Sequence, residues 1–294
     1  MKTLIRTEGR VGDLQQDRFI RGNFLFADEH ALKTTDGKNT YLIAGNARQS
    51  GYYEGVGSAA RFFWVSNIFH INNKKILIAD VDNHCLRTVN RWTNRTNPFV
   101  GKCREAGFRD GYDARFYYPH AMVQDPKIPE LVYITDRGNN AVRFLNVLGK
   151  RVATLTRSGL NQPTGISLDY MKKHLLISGI YYVTRFNLET KQSQLVTGEP
   201  SGGFRDGWMQ NVLYNWADDV LALSTDVILI ADRHNHRLRV ASRNRDDVCS
   251  ICRGSGDNYD GDIWGCAVDY PLSFLLVGEE LYVGAYQAIR RLPG

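Results

Sequence analysis

The segment ILIADVDNHCLRTVN at 76–90 returns as LVYITDRGNNAVRFLN at 131–146 and as ILIADRHNHRLRVAS at 228–242. Self-similarity at a period of about 50 residues means that each copy is one small supersecondary unit, stable only when stacked on its neighbours. Each copy opens with an apolar run of strand composition, passes an Asp and a tight Asn/His/Gly turn, and resumes as a second strand carrying an Arg. That pattern predicts a repeated β-hairpin.

A second marker precedes each hairpin: GYYEGVGSAARFFWV at 51–65, GFRDGYDARFYYP at 107–119, GFRDGWMQNVLYNWA at 203–217 and a weaker GDNYDGDIWGCAVDYP at 256–271. A short strand ending near a Gly follows the hairpins, as TYLIAGN at 40–46, NPFVGK at 97–102 and SQLVTG at 193–198. The unit therefore reads loop, strand a, strand b, Asp turn, strand c, strand d. Two motifs in fixed order at fixed spacing resemble the NHL-repeat family, whose members are β-propellers with four antiparallel strands per blade. The residues carrying the resemblance are Asp80, Asn83, His84 and Arg87, then Asp136, Asn139 and Arg143, then Asp232, Asn235, His236 and Arg239. Ser178-Gly179 and Gly284-Ala285 depart from it, standing where Ala-Asp is expected.

The expected fold is an all-β, six-bladed β-propeller of four-stranded antiparallel blades. The blades are expected near 8–46, 47–103, 104–157, 158–198, 199–254 and 255–294 plus 1–7. In this reading the N-terminal strand Lys2 to Thr7 completes the last blade and closes the ring into one domain, which hides the exposed sheet edge. A length of 294 residues suits a single repeat β-domain, and 43% apolar residues with 27 glycines supply both core and turns. No stretch reaches the ~20 apolar residues of a membrane helix, and the first residues hold no apolar signal region.

Five cysteines bear on the compartment. Cys85 and Cys103 fall opposite each other in the c-d hairpin, as a cross-strand disulfide or two buried thiols. Cys249, Cys252 and Cys266 supply one further bridge and one leftover thiol, with Cys252 and Cys266 the candidate pair and the choice open. The CxxC spacing of Cys249 and Cys252 lies on a strand, which points the sulfurs to opposite faces and argues against zinc or redox chemistry. Asn94-Arg95-Thr96 is a glycosylation sequon in an expected exposed loop. Together these favour an extracellular or lumenal setting, with the cytoplasm as the alternative.

Residues repeated in every unit do the same local job in each copy, so the Asp, Arg and His of the repeat are read as structural staples. Function belongs where units differ. The residues that open strand a at the channel mouth are Ser66, His120, Thr164, Asp218 and Leu272. The amidating lyase, an enzymatic relative of the resembled family, carries zinc-binding histidines in Pro-His contexts here. Only Pro119-His120-Ala121 matches, and one His with Asp218 falls short of the three ligands a catalytic zinc needs. No phosphate loop, nucleophile elbow or carboxylate pair supports catalysis, so no enzyme activity, metal or cofactor is expected. His120 and Asp218 remain candidates for a polar pair or a small-ligand contact.

A net charge of +6 invites nucleic acid. Tripartite-motif proteins with the resembled repeat bind single-stranded RNA on the face of the d-a and b-c loops, but here that face is mixed or acidic. The basic residues gather on the opposite face, at Lys74, Lys75, Arg91, Arg95, Lys150, Arg151, Lys172 and Lys173. That rim suits an anionic partner by charge alone. The reading adopted is a non-catalytic recognition module for a protein or other macromolecular partner, with RNA binding as the alternative. Its candidate anchors are Tyr52, Tyr53, Tyr181, Tyr182, Trp208 and Tyr259, because aromatic side chains dominate interface energetics.

Overall fold

A computed structural model describes residues 1–252, 254–262 and 264–292. Its strands are β1 (Lys2–Gln16), β2 (Phe24–Asp28), β3 (Ala31–Thr35), β4 (Thr40–Gly45), β5 (Val65–His70), β6 (Lys75–Asp80), β7 (Cys85–Asn90) and β8 (Thr96–Val100). They continue as β9 (Pro119–Gln124), β10 (Leu131–Asp136), β11 (Ala141–Asn146), β12 (Arg151–Thr156), β13 (Ile166–Leu168), β14 (His174–Ser178), β15 (Val183–Asn187) and β16 (Ser193–Thr197). The last are β17 (Gly207–Trp208), β18 (Ala217–Ala222), β19 (Val227–Asp232), β20 (Arg237–Ser242), β21 (Asp247–Ile251), β22 (Ser273–Val277) and β23 (Glu280–Leu292). Among the described residues no helix is long and apolar enough to cross a membrane.

Among the described residues the strands form five antiparallel sheets, which corrects the expected six blades. Three sheets are four-stranded meanders, β5 to β8, β9 to β12 and β13 to β16; a fourth, β18 to β21, adds the short β17 at its outer edge. The fifth has six strands in the order β22-β23-β1-β2-β3-β4, merging what the repeat count assigned to the first and last blades. The cause lies in β1, which runs 15 residues without a break. Lys2 to Arg10 pair with β23, and Val11 to Gln16 pair with β2. The boundary expected between residues 7 and 8 thus falls inside a continuous strand.

Apolar residues on facing sheets fill the wedges between them. Leu77 and Leu86 of one sheet meet Phe116, Val132 and Ile134 of the next. Leu176 and Val183 meet Tyr214, Val220 and Ile230. Phe62, Phe116 and Tyr214 are fully buried, as aromatic residues that bridge two sheets must be. The six-stranded sheet folds on itself in the same way, since Phe26 of β2 clusters with Tyr282 and Ile289 of β23.

The repeated Asp turn has one local solution. Val81–Asn83, Arg137–Asn139 and Arg233–Asn235 each form one turn of 3-10 helix, closed by His84, Asn140 and His236 at φ of 59°, 48° and 54°. Asn and His tolerate this left-handed conformation better than most residues, so their recurrence there follows from backbone geometry. Beside each turn a fully buried Arg pairs with the Asp: Arg87 with Asp80 at 2.9 Å, Arg143 with Asp136 at 2.7 Å and Arg239 with Asp232 at 2.5 Å. The same guanidinium reaches Glu54, Asp110 or Asp206 of the preceding loop. Arg290 pairs with Asp260 although Ala285 has replaced the turn Asp. Those loop acids, which the sequence places on a mixed or acidic face, therefore have buried cationic partners.

Disulfides join Cys85 to Cys103 and Cys252 to Cys266, and Cys249 is a free, half-buried thiol.

Candidate functional site at the channel mouth

The innermost strands β1, β5, β9, β13, β18 and β22 surround a central channel of about 580 Å³. Arg18, Gln124, Asp125 and Lys172 line it toward one face, and Ser66, His120, Asp218 and Leu272 line it toward the other. Small residues let the strands crowd together at this inner end. A Cβ on Gly12 would stand 2.5 Å from the Val65 carbonyl oxygen, and one on Gly165 would stand 2.7 Å from that of Asp218. Hydroxyls stitch the ring, with Ser66 donating to the His120 carbonyl at 2.5 Å and Thr164 to the Ala217 carbonyl at 2.9 Å.

Beyond this neck lies a layer of aromatic and arginine side chains. Trp64, Tyr118, Trp216 and Tyr270 stand two residues before the neck residues of their strands, each with positive φ. The side chains of Arg137 and Arg233, immediately after the repeated Asp, fold over them. Arg137 lies 4.9 Å from the Tyr118 ring and 5.4 Å from that of Trp216. Arg233 lies 5.8 Å from Trp64 and 5.7 Å from both Trp216 and Tyr270, and Arg10 sits 4.5 Å over Trp64. Such stacking favours arginine over lysine, because the planar guanidinium is weakly hydrated.

His120 and Asp218 meet at the base of this layer, their Nε2 and Oδ1 atoms 4.0 Å apart. Arg233 donates to Asp218 Oδ2 at 3.2 Å, and the Trp64 ring packs edge-on against His120 at 5.0 Å. Burial, reinforced by Arg137 and Arg233, holds the His120 imidazole well below its ordinary pKa, so the ring is neutral. Burial raises the Asp218 carboxyl, opposed by the same two arginines. Arg10 is neutralised differently, forking through Nε onto both oxygens of Glu29 at 3.0 Å. Among the described residues, no group of three or more His, Cys, Asp or Glu is placed to hold a metal ion.

The remaining candidate residues are spread around the disc. Tyr52 packs on the buried Arg87 at 4.8 Å, whereas Tyr53, Trp208 and Tyr259 are exposed. Tyr181 and Tyr182 are half-buried in the turn between β14 and β15, where Gly202 leaves room for the Tyr181 ring and Gly198, just after β16 of the same sheet, lies against Tyr182. Lys74, Lys75, Arg95, Lys150, Arg151, Lys172 and Lys173 are exposed. Arg91 corrects the proposed basic rim: its side chain is 5% exposed and is held by Asp17, a contact across sheets that no local pattern announces. Asn94 is half-exposed in the turn between β7 and β8.

Sequence reasoning missed Arg10, Trp64, Arg137, Trp216 and Arg233. Part of the signal was present: Trp64, Tyr118, Trp216 and Tyr270 are aromatic at one repeat position, and Arg137 and Arg233 stand where another unit has Val81, whereas Arg10 falls outside the aligned motifs. Their convergence depends on ring closure, which brings side chains from distant sheets to one axis.

No protein-family model matches the sequence. The chain is 24% identical over 257 residues to Protein SUPPRESSOR OF QUENCHING 1, chloroplastic, of Arabidopsis thaliana; the match covers 77% of this chain and 24% of that protein. The chain therefore spans about a quarter of the length of that curated relative. Among solved structures, an auxiliary nutrient binding protein from Bacteroides thetaiotaomicron superposes with a TM-score of 0.72 at 12% identity, covering 99% of this chain and 76% of that one. A chain of the nidogen/laminin complex superposes with a TM-score of 0.61 at 10% identity, covering 92% and 88%. At such identities the likeness establishes the fold, a β-propeller of antiparallel sheets.

Proposed function

We propose that the chain is an NHL-type propeller acting as a non-catalytic recognition module in an extracellular or lumenal setting, and that it binds a protein partner through the loop closed by Cys252 and Cys266. The observation that carries this reading is the make-up of that loop. A disulfide spanning 14 residues ties its ends together. It presents Trp264 at 65% and Tyr259 at 58% exposure, and Asp262 Oδ1 accepts from the backbone N–H groups of Trp264 and Gly265. Large aromatics this exposed gain much on burial at an interface, and a tied loop loses little entropy on binding. Two disulfides and the Asn94 sequon support the oxidising compartment. A solved neighbour from a nidogen/laminin complex, and another named as a binding protein, agree with a binding role.

The test is chemical crosslinking of the glycosylated, oxidised protein on its native surface or in its native lumen, beside Trp264→Ala and Tyr259→Ala. One protein species captured by the natural chain and reduced about tenfold by either change is the expected result. Capture unaffected by both changes, or salt-sensitive retention of RNA in its place, overturns the reading.

A further inference from the structure

Antiparallel meanders put alternate turns of every sheet on one face of the disc, the face toward which Arg18, Asp125 and Lys172 line the channel. Five of those turns carry exposed large apolar side chains. Residues 17–23 present Phe19 and Ile20, 91–95 present Trp92, and 125–130 present Ile128. Residues 147–150 present Leu148 at 74% exposure, and 169–173 present Tyr170 at 59% and Met171 at 57%. The same five turns hold eight basic residues against four acids. Three of those acids are already engaged: Asp17 with Arg91, Asp125 with the Tyr133 hydroxyl and Asp169 with His174. The other turns of this face, 36–39, 71–74, 188–192, 223–226, 243–246 and 278–279, hold five residues of each charge and, among the described residues, no exposed large apolar side chain. Apolar tips and excess positive charge therefore coincide, in units that follow one another round the disc.

That combination selects the occupant. At a bilayer surface Lys and Arg meet lipid phosphates while Trp, Tyr and aliphatic tips enter among the headgroups, so one partner satisfies both features. A polyanion takes up the charges and leaves Ile20, Leu148 and Met171 in water, and a purely apolar surface does the reverse. A cavity adds a second observation. Between turns 169–173 and 223–226 the face opens into a space of about 210 Å³. The exposed Tyr170 and Met171 line it together with the buried Leu176 and Met209. Arg185 and Arg243 reach it without an ion pair among the described residues, and the acids in its wall are Asp226 and the His174-bound Asp169. Two guanidinium groups beside an apolar lining fit a headgroup phosphate and the carbon chain attached to it. We propose that this face docks on the surface of an anionic phospholipid bilayer, its apolar tips entering at headgroup depth and its bases contacting lipid phosphates. The loop closed by Cys252 and Cys266 lies among the turns of the opposite face, so it stays free to hold a protein.

The experiment is flotation of the whole chain with phosphatidylcholine vesicles that contain or lack phosphatidylserine. Trp92 stands two residues from Asn94, so any glycan on Asn94 is first removed enzymatically. Vesicles with phosphatidylserine bind at least about tenfold more strongly than those without it. Ile20→Ser combined with Leu148→Ser and Met171→Ser weakens that binding by about tenfold, because three apolar tips lose their contact with lipid carbon. Lys172→Glu combined with Lys173→Glu weakens it by a similar factor through charge. All five side chains are exposed, so both variants keep the fold, which circular dichroism checks. Protein capture by the disulfide-closed loop is unaltered in either variant, which keeps failure of this face distinct from failure of that loop. The proposal is overturned if no vesicle binds, if phosphatidylserine makes no difference, or if the Ile20, Leu148 and Met171 variant binds as the natural chain does. Single-stranded RNA held more tightly than the vesicles, and equally by that variant, assigns the face to nucleic acid and overturns it as well.

Discussion

Asp232 and Arg239 are both shielded from water, and the same pair recurs as Asp80 with Arg87 and Asp136 with Arg143. These residues were legible as structural in the sequence, since a group needed in every copy has a local duty. His70 was not legible in that way. It is 5% exposed at the end of β5, and both ring nitrogens lack a partner among the described residues. Burial pushes its pKa down from 6.5 to about 4. The unfolded chain therefore takes up a proton as the pH falls below 6.5 while the folded protein resists until about 4, so stability present at neutral pH is lost across that window. His70→Phe keeps a ring of similar size and abolishes that uptake. Urea unfolding at neutral pH and near pH 4 should show the acid loss of stability reduced by roughly 2–3 kcal/mol in the variant. An unchanged pH dependence would mean that the imidazole is hydrated in the folded state.

The hairpin is the element the sequence describes best. Its apolar run, Asp, left-handed Asn or His and returning Arg are set by local geometry and alternation, and these mark β6 with β7, β10 with β11, and β19 with β20. The cross-link at Cys85 and Cys103 belongs to this scale, because it fixes the start of β7 to the chain just beyond β8 across a separation of 18 residues. Replacing both with Ala releases that closure in the unfolded chain. The unfolding free energy should fall by roughly 2–4 kcal/mol in urea titration under oxidising conditions. A loss under about 0.5 kcal/mol would show that the wedge packing around Phe116 already fixes the loop. What local pattern could not supply was pairing at a distance: Arg91 reads as one more basic loop residue until the fold seats it on Asp17.

Closure of the disc depends on β1, whose first half covers β23 from Tyr286 to Arg291. Deleting Lys2 to Thr7 bares that strand's hydrogen-bonding groups, and an open edge recruits a second chain. Size-exclusion chromatography with light scattering should report dimers or larger species for the deletion, together with a lower melting temperature. A monomer melting as the natural chain does would show that β23 is protected by other contacts. The repeat itself determined that the chain makes antiparallel sheets arranged around an axis, because each unit's apolar faces can be buried only against a neighbour. The tertiary structure decided the count of sheets, since nothing in the local pattern requires β1 to run on from β23 into β2. It also decided the mouth: Arg10, Trp64, His120, Arg137, Trp216, Asp218 and Arg233 come from stretches far apart in the chain, and only closure of the ring packs them into one cluster.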